Sequence, residues 1–178
     1  MTTTERGRHL LDGTARSFLA EALFPLTGLV TASYLTRQLL PEGYGWFTLV
    51  ASLVAWVEWT VTTVFSRTAI KLVGEAADWR PVGATLVRWQ LLIGLTAMAA
   101  VQATAGPVAA LLGAPTVAPY LRLMALEIPV FAVAQAHRNI TIGLGGYRHR
   151  AITSVWRWLS RLVFIIALVE LGFSIPGA

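Results

Sequence analysis

The chain has 178 residues, of which 56% are hydrophobic and only 13% are charged. A soluble domain usually carries about 25% charged residues, whereas residues 89–121 contain no Asp, Glu, Lys or Arg at all. A helix crosses a bilayer with about 20 mostly apolar residues, and several such stretches follow one another here, so the sequence predicts an integral membrane protein. The absence of cysteine excludes disulfides, thiolate zinc sites and a cysteine nucleophile.

The apolar pattern predicts an all-α polytopic bundle that follows a cytoplasmic N-terminal segment, residues 1–17. About five spanning helices are expected, at residues 18–39, 44–65, 89–112, 120–142 and 156–175. The fifth is the weakest, because Arg157 and Arg161 leave only a stretch of about 21 Å clearly apolar, against a core of about 30 Å. Arginines that snorkel to the interface beside Trp156 and Trp158 would supply the rest.

The basic residues fix the orientation. With the N-terminus in the cytoplasm, twelve of the 14 Lys and Arg residues lie on the cytoplasmic side, and only Arg37 and Arg122 lie outside. The positive-inside rule therefore predicts a multi-pass protein of the inner (cytoplasmic) membrane, with the lipid bilayer as its surroundings. The net charge of +5 is explained by this topology, so no nucleic acid is expected as a partner.

The connecting segments differ in character. Residues 41–43 and 113–115 predict short outer turns, and residues 143–150 predict a flexible basic turn inside. The longer inner segment, residues 66–88, has two open interpretations. It is either a short amphipathic helix on the cytoplasmic leaflet that ends at Pro81, or an extension of the second helix.

Charged residues at membrane depth are costly, about 2.5 to 3.5 kcal/mol each on insertion scales, so each is a candidate for a functional site. Glu58 is the clearest. Ala51, Ala55, Glu58 and Thr62 form one small and polar stripe on the second helix, and such a stripe faces other helices or water rather than lipid. Glu58 either binds a proton, a sodium ion or a substrate hydroxyl, or is a structural glutamate paired with a neighbouring helix.

The fourth helix offers a second pair of candidates. Glu127 and Arg138 are 11 residues apart, hence on one face and roughly 16 Å apart along the axis, and we expect both to line one aqueous cavity with Phe131. Arg138 either offers a forked donor to a phosphate or serves as a positive-inside anchor. Pro129 frees the carbonyl of Ala125 and is expected to kink this helix.

Two further patterns bear on packing and chemistry. Gly28, Ala32 and Thr36 form a small-xxx-small run that predicts close helix packing. The three histidines lack metal-ligand spacing, and no residue set pairs a nucleophile with a base. We therefore expect no metal, no cofactor and no enzymatic activity.

Two stretches resemble polysaccharide-transport flippases. Residues 34–47 are similar to the first loop of those proteins. That loop has, in order, an Arg, the sequence Leu-Leu followed by Gly or Pro, and the sequence Tyr-Gly-x-Phe/Tyr. Residues 145–151 resemble the basic turn between the fourth and fifth helices, an aromatic followed by Arg-x-Arg and a small residue. The first motif is represented here by Arg37, Pro41, Tyr44, Gly45 and Phe47.

The resemblance is to the oligosaccharide flippase branch of the multidrug/oligosaccharidyl-lipid/polysaccharide exporter superfamily, and to the opening part of a member only. It implies two bundles of helices that rock around a central cavity. A polyprenyl-pyrophosphate-linked oligosaccharide would enter from the cytoplasmic side, with basic groups on the pyrophosphate and polar groups on the sugars. The five motif residues are expected to shape the turn and anchor it at the interface. The cavity candidates are Glu58, Thr62, Glu127 and Arg138.

Other interpretations stay open on the sequence. The chain is either part of such a flippase, or an inactive or split fragment that pairs with a second membrane chain supplying the missing helices. A structural partner of a polysaccharide-assembly complex and part of a multidrug antiporter are further possibilities. Copurification of a second membrane chain would distinguish the split half from the inactive fragment.

Overall fold

The computed structural model describes the backbone of residues 3–170 and the side chains of residues 22, 25–146, 149, 152–167 and 169–170. It confirms the all-α class, because the described residues form helices and no strand. The five helices are α1 (Thr3–Glu75), α2 (Trp79–Leu111), α3 (Val117–Met124), α4 (Glu127–Gly143) and α5 (Tyr147–Leu168).

A break at Leu40 divides α1 into a first arm, residues 3–39, and a second arm, residues 41–75. Pro41 disfavours the helical conformation of the residue before it, and Leu40 has φ 60° and ψ 167°. Leu35 and Phe47 belong to one packed cluster, although an unbroken helix would separate them by about 18 Å. The arms therefore fold back on each other, and residues 41–43, predicted as a turn, begin the second arm instead.

The inner segment 66–88 is divided between two helices: residues 66–75 extend the second helix, as in the second of the two interpretations left open above, and residues 79–88 begin α2. The second arm continues to Glu75, where Lys71 and Glu75 form an exposed ion pair at 3.9 Å. Asp78 then caps α2 by accepting a hydrogen bond from the backbone N–H of Arg80, at 3.1 Å. Pro81 lies in the first turn of α2, where no intrahelical donor is required, so the prediction that Pro81 ends a helix was wrong.

Glycines end α2 and α4 by the same hydrogen-bond pattern. Gly113 and Gly145 have φ of 64° and 72°, the left-handed conformation that glycine adopts without steric cost. After α4, the N–H of Gly145 donates to Ile142 O and the N–H of Gly146 to Thr141 O, both at 2.9 Å. The chain can then start α5 at Tyr147, nine residues before the predicted start.

The fourth predicted span consists of α3 and α4, separated at residues 125–126. Pro129 has no N–H to give to the carbonyl of Ala125, and that carbonyl instead accepts from the N–H of Ile128 at 3.2 Å. The tighter turn interrupts the helix. The expected kink is confirmed, and its cause is the missing donor of Pro129.

Three described stretches are long and apolar enough to cross a membrane: Pro25–Glu75, Trp79–Leu111 and Val117–Gly143. The first contains the break at Leu40 and so holds two of the predicted spans. The fifth span stays a prediction. Its helix α5 has 22 residues, about 33 Å, and residues 171–175 of the predicted span lie outside the described part. Helix α1 begins at Thr3, so the predicted boundary after residue 17 falls inside a helix.

Small residues bring α2 and the second arm against α4. A Cβ on Gly94 would lie 2.8 Å from Pro129 Cα, and one on Gly143 would lie 2.8 Å from the backbone oxygen of Ile70. By contrast, no described atom outside the local helix turn lies within 4 Å of a Cβ built on Gly28. Close packing within this chain therefore occurs at Gly94 and Gly143, and the expectation for the Gly28 run was wrong.

Candidate functional site

A cavity of about 480 Å³ lies between the second arm, the α3–α4 pair and α5. Four charged side chains line it, two acidic and two basic. Its other lining residues are mainly apolar or aromatic. The charged residues are Glu58, Glu127, Arg157 and Arg161.

The predicted stripe on the second arm divides between this cavity and the protein interior. Ala51, Ala55 and Glu58 line the cavity. Glu58 is only 9% exposed, and its Oε1 has no hydrogen-bond partner among the described residues. Thr62 is buried and does not line the cavity; its hydroxyl donates to the backbone oxygen of Glu58 at 2.7 Å. Because that bond uses its only proton, Thr62 can offer a substrate at most an acceptor.

The candidates on α4 are also placed apart. Glu127 and Phe131, one turn apart, both line the cavity, whereas Arg138 does not. At the level of Arg138 the second arm and α4 are in direct contact. There Asn139, which is fully buried, donates from Nδ2 to Ser66 Oγ at 3.2 Å. The structure thus brings Glu58 and Glu127 to one cavity, and a role for Thr62 and Arg138 in binding stays a prediction.

Two arginines complete the cavity, and sequence reasoning assigned them to the membrane interface. Arg157 lies ten residues after the start of α5 at Tyr147, about 15 Å along the helix, and Arg161 lies seven residues before its end at Leu168, about 11 Å. Both therefore stand in the middle of the helix. Their i, i+4 spacing on an otherwise apolar segment is the signal that could have identified them.

One of the two arginines packs on an aromatic ring. The Arg157 guanidinium lies 4.2 Å from the ring centre of Trp158, a cation–π arrangement. Trp158 is buried and lines the cavity, whereas Trp156 is exposed. The two tryptophans expected to share an interface role thus face different surroundings. Arg157 and Arg161 both lie close enough to the Glu58 carboxyl to act on it electrostatically, as does Glu127.

The residues of the loop motif have two different settings. Phe47 lines both this cavity and a smaller one of about 170 Å³, and Tyr44 lines the smaller one. Their ring centres are 6.3 Å apart. Arg37, Pro41 and Gly45 are exposed. The motif therefore places an aromatic pair against the cavities as well as beginning the second arm.

The smaller cavity lies between the two arms and α5. Arg161 and Trp158 line it as well as the larger cavity. At its outer end the hydroxyl of Tyr34 donates to Glu170 Oε1 at 2.6 Å, which joins the first arm to α5. Among the described residues, no group of three His, Asp or Glu side chains is placed to hold a metal ion.

The fold and the cavity define a class: a helical membrane protein with mixed charges along a cavity between its helices. The family model of polysaccharide biosynthesis proteins matches residues 10–177. The chain belongs to this family and has a role in polysaccharide biosynthesis or transport. No match is found among curated proteins or among solved structures.

Proposed function

We propose that this chain forms part of a flippase that moves polyprenyl-linked oligosaccharides across the inner membrane. One observation carries the proposal: two arginines and two carboxylates line one cavity of about 480 Å³ between apolar helices, in a chain of the polysaccharide biosynthesis family. Charged residues among membrane-spanning helices are costly to insert, and they mark the paths of polar substrates. Transport rather than catalysis is therefore the proposed activity.

The arginines are the proposed site for the pyrophosphate headgroup. Arg157 and Arg161 stand one helical turn apart and both line the cavity, so two planar guanidinium groups can address neighbouring phosphates. Guanidinium groups bind phosphate oxygens bidentately. Glu58 and Glu127 provide acceptors for sugar hydroxyls on the opposite wall. The lipid tail would remain in the bilayer, as the resemblance to flippases implies.

The arginines also separate this proposal from part of a multidrug antiporter. A cavity that holds an organic cation needs acidic and aromatic groups without competing positive charge. Here Arg157 and Arg161 lie close to Glu58, and they would repel such a cation. We therefore place the antiporter second.

The transport unit is proposed to include further helices. The resemblance implies a second bundle facing this one, provided by the same polypeptide or by a second membrane chain. The exposed side chains of Glu127 and Phe164 line the cavity from its open side, which suits such an arrangement. Copurification of the tagged chain from its own membranes tests this part of the proposal.

The main test is complementation in the source organism with its own copy deleted. The wild-type chain should restore surface polysaccharide and remove lipid-linked oligosaccharide from the cytoplasmic leaflet. We expect Arg157→Ala/Arg161→Ala to lower surface polysaccharide about tenfold or more, because a hydrogen bond to a charged group contributes about 1.5 to 3 kcal/mol. Arg67→Ala/Lys71→Ala is the matched control, since both residues are exposed on the extension of the second arm, and it should restore export. Export by the double arginine variant at the wild-type level would overturn the site.

A further inference from the structure

The larger cavity is balanced in formal charge. Its charged lining residues are Glu58 from the second arm, Glu127 from α4, and Arg157 and Arg161 from α5. Tyr120 from α3 adds a phenol, and the described residues of α2 and the first arm add no lining group. With both carboxylates ionised, the two negative and two positive charges cancel. A pyrophosphate that enters then meets no net positive charge.

Glu58 differs from Glu127 in its surroundings. The Glu58 side chain is nine-tenths buried at the cavity wall, and its Oε1 makes no hydrogen bond within the part of the chain that the structure describes. Glu127 is exposed. Buried polar atoms normally have a hydrogen-bond partner, so one that lacks a partner calls for an explanation. The Glu58 oxygen can take up a proton without breaking any hydrogen bond of its own.

We propose that a proton on Glu58 and an anionic headgroup at Arg157 and Arg161 bind to this cavity together, each raising the affinity for the other. The inference rests on the proposed function and adds that proton binding strengthens headgroup binding rather than weakening it. A proton taken from water neutralises the Glu58 carboxylate, and the formal charge of the cavity changes from zero to plus one. The carboxylate that would repel the headgroup and compete for the guanidinium groups is thereby removed.

Linkage makes this effect reciprocal: the factor by which the proton strengthens anion binding equals the factor by which the anion strengthens proton binding. Couplings between such sites are typically 5-fold to 150-fold, and we expect about tenfold here. An exchange in which proton and anion compete for the cavity requires the opposite sign. The two schemes are therefore separable by one binding measurement.

The probe is farnesyl pyrophosphate, with farnesol as its uncharged control, titrated calorimetrically into the purified full chain in detergent with EDTA. Glu58→Gln imitates the protonated side chain. At pH 8 it should bind the probe about tenfold more tightly than the wild type, and the ratio of the two affinities should be smaller at pH 6. Because each ratio compares the same ligand at the same pH, ionisation of the ligand cancels. Glu75→Gln, an exposed carboxylate on the extension of the second arm, should match the wild type at both pH values.

The outcomes separate the two proposals. If Arg157→Ala/Arg161→Ala binds the probe as tightly as the wild type, or if the wild type does not prefer the probe to farnesol, the headgroup site itself is overturned. If the arginine variant binds weakly while Glu58→Gln is no tighter than the wild type at pH 8, the headgroup site stands and the coupling is overturned. Should Glu58→Gln not fold, the wild type is titrated in two buffers of different ionisation enthalpy. Net proton uptake on binding supports the inference, and net release contradicts it.

Discussion

Gly94 provides the sharpest test of the packing between α2 and α4. A Cβ at this position would lie 2.8 Å from Pro129 Cα and 3.0 Å from Ala132 Cβ. Carbon atoms pack at about 3.5 Å or more, so Gly94→Ala must part the helices by about 0.7 Å. Such overpacking costs about 1–3 kcal/mol, and the higher helix propensity of alanine offsets up to about 1 kcal/mol of it.

The expected net loss is about 1–2 kcal/mol of unfolding free energy, which for a chain of this size lowers Tm by about 2–8 °C. Thermal unfolding in detergent, followed by circular dichroism at a fixed scan rate, measures it. Gly28→Ala is the matched control, because a Cβ there meets no described atom of another helix within 4 Å, and its Tm should stay the same or rise. Equal Tm values for the two variants would refute the close contact between α2 and α4.

Two further predictions concern the break in α1 and the contact at the Glu75 end of the second arm. Leu40 is 68% exposed and has a positive φ, a conformation that costs about 1–3 kcal/mol for a residue other than glycine. Leu40→Gly should therefore raise Tm, whereas the control Leu26→Gly, on a helical site that is also exposed, should lower it. A fall of Tm in both variants would contradict backbone strain at Leu40. In a double-mutant cycle of alanine variants, the free energies of unfolding should show a coupling of about 0.6 kcal/mol between Asn139 and Ser66, the average for hydrogen bonds between membrane helices. A coupling of zero would mean that the 3.2 Å contact contributes nothing to stability.

Hydropathy predicted where the first four apolar segments lie, and the described helices contain them. It did not predict where the helices end, because those ends depend on polar residues and glycines outside the apolar stretches. Helix α2 starts ten residues before the predicted position, at a cap made by Asp78. Helix α5 starts nine residues early, directly after the glycine turn at Gly145.

The shift in α5 also explains what sequence reasoning missed in the cavity. A helix that starts at Trp156 places Arg157 and Arg161 at the membrane interface, where snorkelling accounts for them. A helix that starts at Tyr147 holds the same arginines within α5, where both line the cavity together with Glu58. Glu58 and Glu127 could be predicted as candidates because a carboxylate within an apolar segment is unusual wherever the helix begins.

Arg138 shows the limit of reasoning from one helical face. It shares a face with Glu127 by spacing, yet the cavity ends before reaching it. The second arm and α4 close on each other at that level, through the hydrogen bond from Asn139 to Ser66 and the contact of Gly143 with Ile70. Periodicity gives the direction in which a side chain points, whereas the separation of two helices along their length depends on which residues are small enough for contact. The glycine at position 143 therefore holds α4 against the second arm beyond Glu58 and Phe131, the last residues of these two helices that line the cavity.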